Sequence, residues 1–388
     1  MEGIAPFHVM ELMAKAQALE AQGRDIVHME VGEPDFPTPQ PILEAAQRFL
    51  AGGHVHYTSA LGLPELREAI AGWYATRHGI NVDPARIVVT AGASGALLLA
   101  LGILTSPGDE WLLTDPGYPC NRHFVRFCEG VPRAIPVDAT TDYQPRAEKV
   151  GAGWTARTRG LMVASPANPT GTLIDPVQLA TLWQTVRSRG GTLIVDEIYH
   201  GLTYGGVAEG AGTKGAVGRS ALEISDDLIV INSFSKYFGM TGWRLGWLVL
   251  PLALVRDAEK LAQNLFIAPS TPAQHAALAA FRPETLDILE ERRTEFQNRR
   301  DLLLPGLVSL GFDIATVPNG AFYIYAGLGN LAEDSFALAE RLIAEAGVAA
   351  TPGLDFGDNA PERHMRFAYT VNKDRLNEGL VRLAEFLR

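Results

Sequence analysis

Between residues 86 and 250 the chain repeats one pattern, a short apolar run rich in β-formers followed by a helix-like stretch. The runs are RIVVT (86–90), WLLTD (111–115), GLMVAS (160–165), TLIVDE (192–197), LIVINS (228–233) and GWLVL (246–250). Strands that are apolar on both faces need cover on both sides. The alternation therefore predicts an α/β fold in which a mostly parallel sheet is flanked by helices. Such sheets bind ligands beyond the carboxyl ends of their strands, so the residues that follow each run are the candidates for chemistry.

A chain of 388 residues exceeds what one core usually fills, and two domains are expected. Residues 284–310 have helical apolar spacing and dense charge, as suits a long helix between domains. A smaller α+β pattern follows, with strands in GFDIAT, AFYIYA and HMRFAYT (364–370) and helices over 335–346 and 373–387. The expected organisation is an N-terminal arm and extended segment (1–45) joining the small domain, a large domain (46–285) and a small C-terminal domain (286–388). The Gly-rich run at 205–218 lacks the G-K-[ST] ending of a phosphate-binding loop and reads as a flexible surface loop.

The net charge of −11 disfavours attraction to nucleic acid or anionic lipid. Two cysteines, Cys120 and Cys128, are too few for a disulfide framework, and no spacing suggests a metal site. The N-terminus lacks a basic start with an apolar run behind it, and no stretch of about 18 apolar residues occurs. A cytoplasmic protein without a membrane anchor is expected.

Lys236 stands just past an apolar strand, among Ser233, Ser235 and Arg244. In a low-polarity pocket near other cations a lysine loses its proton readily, and its neutral amine can form an imine with an aldehyde. The hydroxyls and guanidinium beside it suit a phosphate. Asp196 ends another apolar run, where it serves either as a helix cap or as the partner of a buried cation, and Tyr199 follows by three. Glu197 and His200 face solvent or satisfy local hydrogen bonds.

Asn168 lies in the turn SPANPTG (165–171) and can aim its amide into a cleft. In VVTAGASGALLLA (88–100) a Gly-rich bend opens an apolar helix whose first amides would point at an anion; Ser94 reads as a phosphate donor or a cap, not a nucleophile. Tyr118, in DPGYP, stacks on a planar ring or simply packs. Arg366, in an apolar strand, needs a carboxylate, either structural or from a ligand.

In this order the pieces resemble pyridoxal-phosphate enzymes of fold type I, specifically the class I/II aminotransferases of the aspartate aminotransferase superfamily. The resemblance runs from VGEPDFPTP (31–39) through YTSALGLPELREAI (57–70) to RFAYT. It implies a large domain with a mostly parallel sheet plus a smaller α+β domain, pyridoxal 5'-phosphate as cofactor, and Lys236 as the lysine that forms the Schiff base and moves the proton. It further implies that Asp196 pairs with the pyridine nitrogen, that Tyr199 and Asn168 bond the phenolic oxygen, and that Tyr118 stacks on the ring. Ala93, Ser94, Ser233, Ser235 and Arg244 would hold the phosphate, with Tyr57 reaching in from a second subunit of a homodimer. Gly32, Asn168 and Arg366 would bind the substrate carboxylate.

The implied activity is ping-pong transfer of an amino group from an L-amino acid to a 2-oxo acid. A β-lyase could use the same residues. A non-enzymatic cofactor-sensing protein is the weaker alternative, since no DNA-binding segment precedes residue 1 and the chain is acidic. Some bacterial aspartate aminotransferases of this group carry a lysine in the phosphate bend, where this chain reads GASGA, which weakens an acidic specificity. Ile4 and Phe7 are candidates to line a pocket for neutral side chains or to pack at a dimer interface.

Overall fold

The computed structural model describes residue 4, residues 6–204 and residues 218–388. Its strands are β1 (Val27–Met29), β2 (Ile87–Thr90), β3 (Glu110–Asp115), β4 (Val131–Pro136), β5 (Thr158–Ala164), β6 (Thr192–Asp196), β7 (Ile229–Ser233), β8 (Gly246–Val249), β9 (Tyr323–Gly327), β10 (Val348–Pro352) and β11 (His364–Ala368). Seven form one sheet in the order β2-β8-β7-β6-β5-β3-β4. Its pairings are parallel except those of β8, which runs against both β2 and β7.

Successive residues of a strand point to opposite faces, and here both faces are buried. Leu161, Val163, Leu193, Val195 and Val230 enter one core, while Met162, Ile194, Ile229 and Ile231 enter the other. This is why the runs in the sequence show no polar alternation. The shared direction of β2, β3, β5, β6 and β7 gathers their carboxyl ends, Thr90, Asp115, Ala164, Asp196 and Ser233, along one edge.

The second sheet has the order β1-β10-β11-β9, and the 27-residue helix Pro283–Ser309 precedes its last three strands. The N-terminal segment is more structured than an arm. A helix, His8–Glu20, buries Val9, Leu12 and Ala16 on one face, and β1 pairs in parallel with β10.

GFDIAT is not a strand. Asp313 alone forms an isolated bridge with Gly327, and the chain then leaves to bond Gly171 through the amides of Asn319 and Gly320. Conversely, VPRAIP forms β4, whose two prolines are tolerated because it is the edge strand. The helix expected over 335–346 is Ser335–Arg341 followed by a π-turn, Leu342–Ala346. The run at 205–218 lies, apart from Gly218, outside the described residues. No helix among the described residues is long and apolar enough to cross a membrane.

The first helix and the end of β1 are tied by charge through His28. His28, in β1, meets the buried Glu30 at 2.7 Å through Nδ1 and Glu20 at 3.0 Å through Nε2. With a carboxylate on each ring nitrogen the imidazolium is the favoured form. The Glu30 hydrogen bond is the largest influence and raises the His28 pKa to about 9 against the opposing effect of burial. A raised pKa on a base means stabilisation that is complete below the unfolded value near 6.5 and is lost as pH climbs through about 9. Urea titrations of the wild type should therefore show a falling midpoint between pH 7 and 9.5. His28→Gln should start lower, by on the order of 2 kcal/mol for a poorly partnered buried carboxylate, and vary less over that range. Equal pH dependence in both proteins would contradict this pairing.

Candidate active site

Where the strand ends converge, a pocket of about 970 Å³, including its open mouth, separates the two sheets. Asp196 closes β6 and is 5% exposed. The amide of Ile198 donates to its Oδ1 at 3.0 Å. Burial pushes its pKa up to about 6, against that amide and the charge of Lys236. Lys236 follows β7 and is partly buried, with Nζ donating to the carbonyl of Gly32 at 2.7 Å. The rings of Phe322 and Tyr199 lie 5.7 and 6.0 Å from that nitrogen. Burial is the main reason its pKa falls to about 8, with Arg366 and Arg244 adding repulsion and Glu33 and Asp196 opposing.

One end of the pocket is a cradle of donors. The first turn of the helix Gly92–Leu104 brings Ala93 and Ser94 to the lining. A Cβ on Gly92, which has φ +70°, would stand 2.7 Å from Arg244 Nη2, and one on Gly246 would stand 2.9 Å from the Ala93 nitrogen. Glycine is thus required for the helix start to approach the guanidinium. Ser233 Oγ donates to the Leu245 carbonyl at 3.1 Å and lies 2.9 Å from Ser235 Oγ, from which it can accept. Arg244 itself has φ +53°, an uncommon conformation for a residue with a side chain, and its Nη1 donates to the Thr241 carbonyl at 3.0 Å.

At the other end Arg366 projects from β11, 2% exposed. Its Nη1 donates to Asn168 Oδ1 at 2.9 Å, and its Nη2 to the Glu30 carbonyl and to Thr351 Oγ1. The guanidinium is stacked 4.2 Å from the ring of Tyr323 and 4.9 Å from that of Phe356. Its Nε is buried with no hydrogen-bond partner among the described residues. Among the described residues the guanidinium's hydrogen bonds go to neutral oxygens rather than to a carboxylate. Tyr199 and Tyr323 share a hydrogen bond of 2.8 Å between their hydroxyls. A Cβ on Gly32 would fall 1.8 Å from the Tyr323 hydroxyl, so that position admits no side chain.

Gly32, Ala93, Ser94, Tyr118, Asn168, Asp196, Tyr199, Ser233, Ser235, Lys236, Arg244 and Arg366 all line this one pocket. Tyr57 does not; it is 81% exposed on the surface. Glu197 and His200 are buried rather than facing solvent. Glu197 accepts from Ser220 Oγ and the Ala221 amide, and His200 stacks on His78 at 4.7 Å. Phe7 lines the pocket, with its ring edge-on to Tyr118 at 6.3 Å, and Ile4 does not. Sequence reasoning missed Tyr323, which read only as a strand residue, and Val9, Met10, Val31, Leu97 and Ile198.

Residues 24–383 match the family described as aminotransferase class I and II. The chain belongs to that family. This aminotransferase is 38% identical to the valine–pyruvate aminotransferase of Mycobacterium tuberculosis over 99% of its own length and 97% of the relative's. It is 35% identical to the aspartate/prephenate aminotransferase of Thermus thermophilus, with 100% and 97% covered. A crystal structure of an aminotransferase from Mycobacterium tuberculosis superimposes with a TM-score of 0.94 at 37% identity, covering 100% of this chain and 97% of that one. The aminotransferase is thus a pyridoxal-phosphate-dependent transaminase of fold type I, which exchanges an amino group between amino and 2-oxo acids. Its relatives are named for transamination, and elimination is not favoured.

Proposed function

We propose that Lys236 carries the cofactor and is the catalytic base of transamination, with Asp196 and Arg366 as the two counter-charges that orient the reaction. The observation that supports this most directly is the meeting of all three in one pocket, with the lysine amine brought down to about 8. The donor set fits pyridoxal phosphate. A cradle that a Cβ would fill lies at one end, a buried carboxylate with a single amide donor stands in the wall, and a buried arginine nitrogen without a partner lies at the other end.

When bound, the cofactor supplies an aldehyde that takes the substrate nitrogen and a ring that accepts electrons from the breaking bond. The chain does the rest. Lys236 takes and returns the proton at the substrate α-carbon. Asp196 holds the ring nitrogen protonated, and Tyr199 and Asn168 bond the phenolic oxygen. Tyr118 covers the ring face. The Ala93 and Ser94 amides, Ser233, Ser235 and Arg244 hold the phosphate. Arg366, with Asn168 and the backbone at Gly32, would grip the α-carboxylate and so orient the substrate toward Lys236.

We assign the active form to a cytoplasmic homodimer in which Tyr57 of each subunit reaches the phosphate of the other. The exposed side chains of Leu50, Val55, Tyr57, Leu265 and Ile267 support an apolar contact with a second copy. The working division is a large domain (46–285) and a small one (286–388) that the first 45 residues join. The test is a transfer assay with alanine, valine, phenylalanine or aspartate as donor and pyruvate or prephenate among the acceptors. A new amino acid should accumulate one-for-one with the new 2-oxo acid, and only when both partners are present. Release of ammonia and a 2-oxo acid without an acceptor would instead mark an eliminating enzyme.

A further inference from the structure

The first turn of the helix His8–Glu20 has no side-chain cap of its own. Its free amides are held from across the molecule. His8 N donates to Asp355 Oδ1 at 3.1 Å and Val9 N to Oδ2 at 3.2 Å. Asp355 lies in the turn after β10 and is fully buried, and its carbonyl accepts from Arg122 Nη2 at 3.1 Å. Both carboxylate oxygens are thus spent on the helix start, a favourable place for a negative charge. The consequence is positional: Phe7, Val9 and Met10 line the pocket together with Leu97 and Ile198.

We propose that this latched turn is the side-chain wall of the substrate site, and that Asp355 is the positioning residue that makes the enzyme select L-amino acids with uncharged, apolar side chains. The inference rests on the assignment of Lys236, Arg244 and Arg366 made above. Those three are the cations that line the pocket among the described residues, and each is committed to the cofactor or the α-carboxylate. A second substrate carboxylate would therefore face Phe7, Val9 and Met10 with no free cation in the pocket lining, which is costly. An aliphatic side chain gains from the same surface.

Asp355 also sits near enough to Arg366 for their charges to interact. If that were its only use, its loss would weaken the α-carboxylate grip for every substrate alike. The experiment separates the two. In the cofactor-loaded full-length enzyme, kcat and KM are measured for norleucine, alanine and glutamate in wild type, Asp355→Ala, Asp355→Asn and Met10→Lys. The wild type should prefer norleucine to glutamate by on the order of 100-fold in kcat/KM. In Asp355→Ala the norleucine-to-alanine ratio should fall roughly 10-fold, mainly through KM, because alanine is too short to use the wall. Asp355→Asn, which keeps one acceptor oxygen, should lie between.

Met10 is 47% exposed, so Met10→Lys provides a variant that folds even if the Asp355 variants do not. It should move the glutamate-to-norleucine ratio up about 10-fold by placing a cation in the wall. An equal loss for norleucine and alanine in Asp355→Ala, or an unchanged ratio in Met10→Lys, would overturn the inference while leaving transamination at Lys236 standing. Absence of cofactor absorbance from the wild type would take down both.

Discussion

Lys236→Ala should lower turnover by on the order of 10⁴-fold or more, measured with donor and acceptor in excess. The loss is large because one amine is assigned two tasks, the link to the cofactor and the transfer of the α-proton. The phosphate cradle is intact in this variant, so the cofactor should still be retained through Arg244, Ser233 and Ser235. The same amine gives a pH signature. With its pKa brought down to about 8, chiefly by burial, it is mostly protonated at pH 6 and mostly neutral at pH 9. Only the neutral form attacks an aldehyde, so the rate at which the cofactor-free chain takes up pyridoxal phosphate should climb with pH and level off above about 8. Stopped-flow absorbance reads that rate. A plateau reached only near the ordinary lysine range would mean that the pocket does not tune this amine.

Arg366→Ala should act on the substrate and leave the cofactor alone. A guanidinium that offers two donors to the α-carboxylate is replaced by nothing, and kcat/KM should fall by on the order of 10² to 10³-fold for every amino acid, with most of the loss in KM. Part of the effect is internal. Asn168 Oδ1 and Thr351 Oγ1 lose the guanidinium, and the Glu30 carbonyl keeps only the Thr351 hydroxyl. Arg366→Lys keeps the charge without the planar fork and should recover only part of the loss. Steady-state kinetics with one good donor checks both variants, and a KM for Arg366→Ala within twofold of wild type would remove Arg366 from the site.

The pocket was legible in the sequence to the extent that a parallel sheet dictates it. Asp196 and Ser233 end apolar runs, and parallel strands place such ends side by side, so their meeting needs no further information. Lys236 follows by the same logic. Arg366 was legible as a misfit, a guanidinium in an apolar strand, but its neighbours Asn168, Glu30 and Tyr323 come from distant segments that no local pattern connects.

What was not legible depends on long-range contacts. The start of the first helix is capped by a carboxylate 347 positions away, so Val9 and Met10, unlike Phe7, carry no local sign that they line the pocket. Tyr323 was visible as part of AFYIYA, whereas its approach to Gly32 exists only once two segments nearly 300 residues apart are packed. GFDIAT has strand-like composition yet makes one bridge because the chain turns away to Gly171, a tertiary choice. Tyr57, exposed on a single chain, has a use at the site only if a second copy stands beside it.

The central claim, that Lys236 is the residue linked to the cofactor, has a direct measurement. The enzyme is loaded with pyridoxal phosphate, its absorbance near the visible edge recorded, the link reduced with borohydride, and the protein digested for peptide mass mapping. The expected result is a band that borohydride abolishes, one cofactor per chain, and the added mass on the peptide that contains Lys236, whereas Lys236→Ala carries no label and its retained cofactor shows only the absorbance of the free aldehyde. A label on any other lysine, or a band that survives unchanged in Lys236→Ala, would contradict it.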